Sequence, residues 1–422
     1  MPEIKPFRGI LYNNRKIRIA DVVAPPYDVI SPELQDELYE RSPFNIVRII
    51  LAKEEDRYSR AAASFLRWKR KAVLINDSTP NIYVLSQSFT LPDGRQFTRR
   101  GFTVACRLEE FDRGLILPHE KTHSLPKEDR FRLFQATDTM FSQIFALYSD
   151  SGGVLERFLS PSAEPDIDVT FDHVQNTLWR LNDPLASGAI AEFMQSQKIL
   201  IADGHHRYET ALRYSNAKRL NNPGHTGKEP YNFVPMHLSN MEDRGILILP
   251  IHRLVHSLPT FDQATFLEEL KKYFHVRTKT SAAELLLVLR AQTESCFGLV
   301  LSGRPSFVLL ELKDKAMVRD RSKPNVYSDL DVVVLHSLIL KTILRISEKA
   351  QEEKLYIDYV KDAEQAIRSV SNGKAQLAFL MNPTKIHQLG AVARVGMMMP
   401  QKSTYFYPKL LSGLVNYSFV EE

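Results

Sequence analysis

The stretch Lys198-Ile-Leu-Ile-Ala-Asp-Gly-His-His-Arg-Tyr-Glu-Thr-Ala-Leu-Arg213 decides how the rest of the chain is read. Lys198 to Ala202 is a short apolar run with the length of a buried strand. Asp203-Gly204 is a turn signal, because glycine adopts backbone angles that other residues resist. From Arg207 onward Tyr208, Ala211 and Leu212 recur at helical spacing, with Glu209 in the first turn. The spacing therefore predicts that a strand ends and a helix begins around Gly204, His205, His206 and Arg207. First-turn amides have no acceptor inside their own helix, and the helix end is positive, so an anion is favoured there. Two imidazoles and a guanidinium add donors at the same place. The competing reading is an exposed turn with a surface histidine pair and a solvated arginine. An acid, a glycine, two histidines and an arginine coincide at one junction, which favours the anion pocket.

A chain of 422 residues is long enough for two or three domains with substantial cores. Hydrophobic residues make up 44% and charged residues 25%, the balance of an ordinary soluble protein. The net charge of +5 admits an anionic substrate but gives no concentrated basic surface for non-specific DNA binding. Cys106 and Cys296 are the only cysteines, which excludes a disulfide framework or a multi-cysteine zinc site. Met1-Pro-Glu-Ile-Lys-Pro lacks the apolar segment of a signal peptide. The stretch Val332 to Ile346 is interrupted by His336, Ser337 and Lys341, too polar to span a membrane. The expected compartment is the cytoplasm.

Pro25-Pro26-Tyr27-Asp28 is a stiff extended or turn segment. Ser31-Pro32-Glu33 and Asp183-Pro184 both read as an N-cap followed by proline at the first helical position. Helical spacing covers Asp56 to Val73, Glu128 to Thr137, Phe261 to Tyr273, Ala282 to Ala291, Ala363 to Ser371 and a long helix from Asp329 to Ser347. Ile82 to Leu91 and Phe97 to Leu108 read as strands joined by Pro92-Asp93-Gly94. Ser142 to Tyr148, Phe233 to Ser239, Ile246 to Leu249 and Gln376 to Met381 are further strands. Phe297 to Leu301 and Phe307 to Leu312 form a hairpin around Gly303-Arg304-Pro305. Asn221 to Pro230 is the clearest loop, either a lid or a plain connector. Helices and strands mix without strict alternation, so the expected class is α+β.

Leu117-Pro118-His119-Glu120-Lys121-Thr122-His123 packs acid, base and hydroxyl groups into a few residues with no helical spacing. A carboxylate beside imidazoles suits proton transfer. The same residues also suit a polar loop with a capping threonine. A zinc site would have to draw on His119, His123, His205, His206 and Asp203, but no metalloprotease-type helical histidine pair is present. Near the C-terminus, Lys402, Ser403 and Thr404 lie in a stretch with no acidic residue from Arg394 to Tyr417. They can close on a phosphate, although no Walker glycine pattern precedes them. A basic extended segment packed by Tyr405, Phe406 and Tyr407 is the alternative. Gly390 to Gly396 reads as flexible.

Two resemblances appear at these residues. End to end, the chain resembles a prokaryotic family catalogued as a domain of unknown function, number ten-fifteen. The matching stretches are Pro25 to Pro32, Leu117 to Thr122, Asp129-Arg130, Ala202 to Ala211 and Met399 to Lys409. More locally, Asp203-Gly-His-His-Arg-Tyr208 is similar to the phosphate-binding motif of the ParB and sulfiredoxin superfamily, and most of all to that of the free-serine kinases. That resemblance implies a ParB/sulfiredoxin-like nucleotide-binding core within a larger mixed α/β chain. It implies phosphate or nucleotide binding by Gly204, His205, His206 and Arg207, a catalytic role for Asp203, and Glu120 at the substrate hydroxyl. Sulfiredoxin chemistry needs a cysteine in the motif, and neither Cys106 nor Cys296 is near it.

The resulting expectation is a phosphotransferase acting on serine or phosphoserine with a nucleotide as co-substrate, its direction open. Glu120 would move the hydroxyl proton, and Asp203 would orient substrate or hold Mg²⁺. Lys402, Ser403 and Thr404 would join the phosphate site, with Asp28, His119, Lys121 and Thr122 at the substrate. The expected organisation is an N-terminal α+β segment (1–110), the phosphate-binding core (111–240) and a C-terminal α+β region (241–422). The other class is a ParB-like nucleotide-binding regulator without turnover, with the second half as an interaction module.

Overall fold

Two runs in which every residue is buried, Ile144 to Tyr148 and Ile199 to Ala202, are neighbouring inner strands of a nine-stranded sheet. Strands covered on both faces need no polar alternation, so they read as continuous apolar runs. A computed structural model describes residues 1–122, 124–161, 163–292 and 295–421, and the chain divides into two units. The first comprises Met1–Pro118, Thr122–Leu247 and Pro408–Glu422, the second His119–Lys121 and Ile248–Tyr407. Among the described residues, no helix is long and apolar enough to cross a membrane.

The sheet of the first unit is built from β1 (Ile4–Lys5), β2 (Ile82–Thr90), β3 (Gln96–Arg107), β4 (Ile116–Leu117), β5 (Ile144–Tyr148), β6 (Ile167–Phe171), β7 (Val174–Leu181), β8 (Ile199–Asp203) and β9 (Phe233–Asn240). Its order is β4-β8-β5-β9-β3-β2-β7-β6, with β1 beside Ala105 and Cys106 of β3. The β4–β8 and β5–β9 pairs are parallel and the others antiparallel. The hairpin expected at Pro92-Asp93-Gly94 joins β2 to β3, with Gly94 at φ +84° and its amide bonded to the Leu91 carbonyl at 2.9 Å.

The helices of this unit include α1 (Arg57–Arg70), α2 (Ser124–Thr137), α3 (Pro184–Gln195) and α4 (His205–Leu220). Both expected caps form: Ser31 accepts from the Leu34 amide and Asp183 from the Leu185 amide. α2 packs against α1 and α4. Tyr214 of α4 is buried among Phe131, Phe134 and Phe419, with ring centroids 6.5, 6.0 and 4.9 Å away. Aromatic contacts of this kind add about 0.5–1.5 kcal/mol each beyond area burial. Phe419 shows that the end of the chain completes the first unit. The expected boundary at 110/111 is therefore not made by the fold: β3 pairs with β9 from Phe102↔Leu238 to Arg107↔Phe233, joining the two segments in one sheet. The 241–422 segment likewise surrenders its last residues, from Pro408 onward, to the first unit.

The second unit carries β10 (His252–Val255), β11 (Phe274–Lys279), β12 (Cys296–Leu301), β13 (Phe307–Leu312), β14 (Ile357–Val360) and β15 (Leu377–Met381). They form an antiparallel sheet in the order β11-β13-β12-β15-β10-β14. Its helices include α5 (Gln263–Tyr273), α6 (Ala282–Ala291), α7 (Ala363–Ser371) and α8 (Ile386–Arg394). Leu285 and Leu289 of α6 and Ala366 and Val370 of α7 bury against Leu254, Val300, Leu309, Ala378 and Leu380 of the sheet. The long helix expected from Asp329 to Ser347 forms over Asp331–Ile343, where α-winding over Asp331–Val334 runs directly into a π-wound segment over Leu335–Ile343 and Leu344 bonds back five residues to the Ile339 carbonyl. One expectation fails here. Gly390, expected in a flexible stretch, is buried inside α8.

Three buried histidines make this fold sensitive to acid. Burial, reinforced by Arg99, pushes His237 down to about 3. Burial, reinforced by Arg253, pushes His336 to about 3 and His252 to about 4. Each folded value lies below the ordinary 6.5, so the stability each contributes is complete above pH 6.5 and is lost as pH falls towards those values. The melting temperature is expected to decline already between pH 6.5 and about 5, before most carboxylates protonate. Thermal melts that stay flat across that window would contradict it.

Candidate functional site

Along β8, Ile201 pairs with Ala146 but Asp203 pairs with Phe145, so the register slips at Ala202. Such a bulge re-aims the strand just where it must turn. Gly204 follows at φ +95° and ψ +25°, and α4 starts at His205. L-residues avoid that backbone region. A Cβ on Gly204 would also stand 3.0 Å from Nη2 of Arg207 and 3.1 Å from its Cζ and Nε. The glycine thus lies directly against the Arg207 guanidinium.

Arg207 is only 5% exposed. Its Nη1 donates to the Gln143 carbonyl and its Nη2 to Oδ2 of Asp203 at 3.3 Å. The side chain expected to reach a phosphate braces the junction from within. Oδ1 of Asp203 faces Nζ of Lys409 at 3.4 Å. His205 is buried and His206 half-buried. Two cations therefore meet one carboxylate at the positive end of a helix of 16 residues, an arrangement that favours a further negative charge.

Lys409 is held there by a buried polar chain that sequence reasoning missed. Arg99 donates to Oε1 of Gln87 and, at 2.7 Å, to the Pro408 carbonyl. Nε2 of Gln87 donates to Oδ1 of Asn176 at 2.8 Å and to the Lys409 carbonyl at 3.2 Å. Burial pulls Arg99 down to about 9, with Asp243 and Asp203 opposing. Strand alternation in β2, β3 and β7 marks Gln87, Arg99 and Asn176 as inward-facing polar residues, the one signal that would have found them.

Other expected residues of the first unit fall nearby or elsewhere. Tyr27 stacks under the Arg130 guanidinium at 4.1 Å. Burial raises its phenol to about 12, Arg130 and Arg207 pull it down, and Asp28 and Asp129 push it up. Tyr27 is thus within electrostatic reach of Arg207, while Asp28 itself is exposed. Thr122 is engaged otherwise: its hydroxyl donates to Glu209 at 2.9 Å and accepts from Lys127 at 3.1 Å.

In the second unit the structure brings Glu120 and His119 together with Lys402 to Thr404. The Met399 amide bonds to the His119 carbonyl at 2.7 Å, and the Lys402 amide donates to Oε1 of Glu120 at 3.0 Å. Lys402 takes a left-handed φ of +55°, which turns its amide to that carboxylate. His119 is fully buried, with Nε2 3.0 Å from the Thr404 hydroxyl. Ser403 is buried, its hydroxyl on the Pro400 carbonyl. Lys121 is exposed and pairs loosely with Glu352 at 3.7 Å.

The residues present do not form a Mg²⁺ site around Asp203. Its two oxygens face Arg207 and Lys409, cations that compete with a metal. Among the described residues no group of three or more histidine, cysteine or acidic side chains is placed to hold a metal ion, and His123 lies outside the described residues.

The chain is similar to several solved structures. One is a conserved hypothetical protein from Pyrococcus furiosus, at 12% identity and TM-score 0.35, covering 74% of this chain and 92% of that one. Another is a free serine kinase in complex with AMP, at 14% identity and TM-score 0.35, covering 72% and 86%. A third is SbnI with C-terminal truncation from Staphylococcus aureus, at 13% identity and TM-score 0.36, covering 74% and 86%. No curated protein shows significant sequence similarity to the chain. A family model described as a protein of unknown function, DUF1015, matches residues 4–333, and the chain belongs to that family.

Proposed function

We propose that the protein is a nucleotide-dependent phosphotransferase acting on serine or phosphoserine. The observation that carries the reading is the junction at Gly204: a bulged strand, a left-handed glycine and a helix start, formed by the Asp-Gly-His-His-Arg motif whose resemblance implies phosphate binding. Phosphoryl transfer is mostly positioning and charge neutralisation. In this reading the nucleotide phosphates rest on the first turn at Gly204, His205 and His206, within the field of Arg207 and Lys409. Asp203 keeps those two cations in place. The reading also assigns Lys402, Ser403 and Thr404 to the phosphates and Asp28, His119, Lys121 and Thr122 to the substrate.

Glu120 takes the proton of the serine hydroxyl as its oxygen bonds to the terminal phosphorus, and the bond from that phosphorus to the nucleotide's bridging oxygen breaks. The reverse uses the same groups: a nucleotide phosphate oxygen attacks phosphoserine and Glu120 returns the proton. No step is assigned to a metal. A binding-only regulator is the second reading, favoured by one fact: the Asp203 carboxylate is already neutralised by Arg207 and Lys409.

Phosphorus NMR of the purified chain with serine plus nucleoside triphosphates, and with phosphoserine plus nucleoside di- and monophosphates, tests the proposal. Conversion in either direction is expected. Nucleotide binding without any conversion would leave the regulator, and absence of nucleotide binding would remove both readings.

A further inference from the structure

A cavity of about 140 Å³ lies in the second unit, and the π-wound segment Leu335–Ile343 forms part of its wall. A π-turn places residues five apart on one face, so His336 and Lys341 both line the cavity. An α-helix would have turned one of them away.

The orientation of His336 is fixed. Nε2 of Gln351 donates to the carbonyls of Ile346 at 2.9 Å and His336 at 3.3 Å, so its Oε1 is the acceptor. That oxygen takes the proton on Nδ1 of His336 at 2.8 Å, and Nε2 of the neutral ring faces Nη2 of Arg253 at 3.4 Å.

Arg253, 2% exposed, is the unusual group behind this wall. Its donors go to the carbonyls of Ile251 and Lys402 and to the imidazole, all neutral. Its Nε has no hydrogen-bond partner, and burial pulls the guanidinium down to about 10, with Tyr359 and the Glu120 carboxylate opposing. A buried cation whose hydrogen bonds all go to neutral groups is costly, and an anion brought near it recovers part of that cost. The mouth is lined by three lysines, Lys121, Lys323 and Lys341, against two glutamates, Glu348 and Glu352, an excess of one positive charge. Lys341 pairs with Glu348 at 2.6 Å, Lys121 only loosely with Glu352 at 3.7 Å, and Lys323 with Asp320 at 3.3 Å.

We propose that this cavity binds a small anionic metabolite bearing a carboxylate or a phosphate, with its charge at Lys341, Lys121 and Lys323 and its body against Tyr359 and His336. A void of roughly 150 Å³ accommodates a ligand of benzene's size, which limits the enclosed part to about six to eight heavy atoms. The inference holds whether or not the chain transfers phosphate at Gly204.

Calorimetric titration of the full chain with inorganic phosphate and, separately, with malonate tests it. The measurements are made in a His206→Glu background, where the added carboxylate closes the Gly204 junction to anions. At least one anion is expected to bind, and Lys341→Gln to weaken it by about tenfold, the effect of one lost charged hydrogen bond. Lys341 is half exposed, so the variant keeps its fold; Lys323→Gln is the second variant. Phosphate alone binding would assign a phosphate-bearing ligand, malonate alone a carboxylate, and either supports the site. Failure of both anions to bind, or unchanged affinity in both lysine variants, would overturn it.

Discussion

Glu120→Gln is expected to lower turnover by about a hundredfold to ten-thousandfold, the usual loss when a general base is removed, while nucleotide affinity stays close to wild type. The substitution suits the local geometry. Oε1 of Glu120 accepts the Lys402 amide at 3.0 Å, and a glutamine carbonyl can accept the same bond. The segment around Lys402, with its left-handed turn, therefore has no reason to move. What changes is the charge. A carboxylate repels a phosphate, so its useful work near one is to take or return a proton. Steady-state kinetics with serine and with phosphoserine, beside nucleotide titrations on the same preparation, make the measurement. Normal turnover in a folded Glu120→Gln chain would withdraw the base and leave the binding-only reading.

The elements legible in the sequence were those whose signals are local. Ser31 and Asp183 announced helix starts through their side-chain caps, and Gly204 announced the turn into α4 through an angle only glycine takes readily. The β6–β7 hairpin went unseen because its turn is made by Asp172 and His173, both at positive φ without a glycine to signal it. β10 and β14 are four residues each, too short for a period to emerge. α8 is capped by Lys385, a poor cap by type, whose amide is instead met by the Gln388 side chain. The π-wound segment kept an apolar pattern that reads equally well as an α-helix. For the candidate site, the motif located the junction correctly in the chain but not the direction of its arginine. Whether a guanidinium points outward or inward depends on what lies beneath. Here the acceptor is the Gln143 carbonyl, 64 residues away in sequence.

That inward direction changes what Arg207→Ala should do. Read from sequence, the substitution removes a ligand contact and leaves the fold intact. In the structure it removes a brace that is 5% exposed, strips the Gln143 carbonyl of a donor, and deletes the group packed against Gly204. Asp203 also loses one of its two cations, although Lys409 stays at 3.4 Å and the carboxylate keeps some contact with solvent. Breaking a buried pair from one side costs about 3–5 kcal/mol, and the partial exposure of Asp203 places this case near about 3. A loss of that size lowers the folding equilibrium of the first unit by roughly a hundredfold or more. Arg207→Lys, which keeps the charge but not the planar fork, should recover part of it. Urea denaturation of the three chains measures the stability, and nucleotide titration at low urea, where all remain folded, measures the junction separately. Both quantities are expected to fall in Arg207→Ala. Undiminished stability would mean the guanidinium does not brace the junction. A clear loss of stability with nucleotide affinity intact would mean that phosphates are bound without the ordered start of α4, and the proposed role of Gly204, His205 and His206 would go with it.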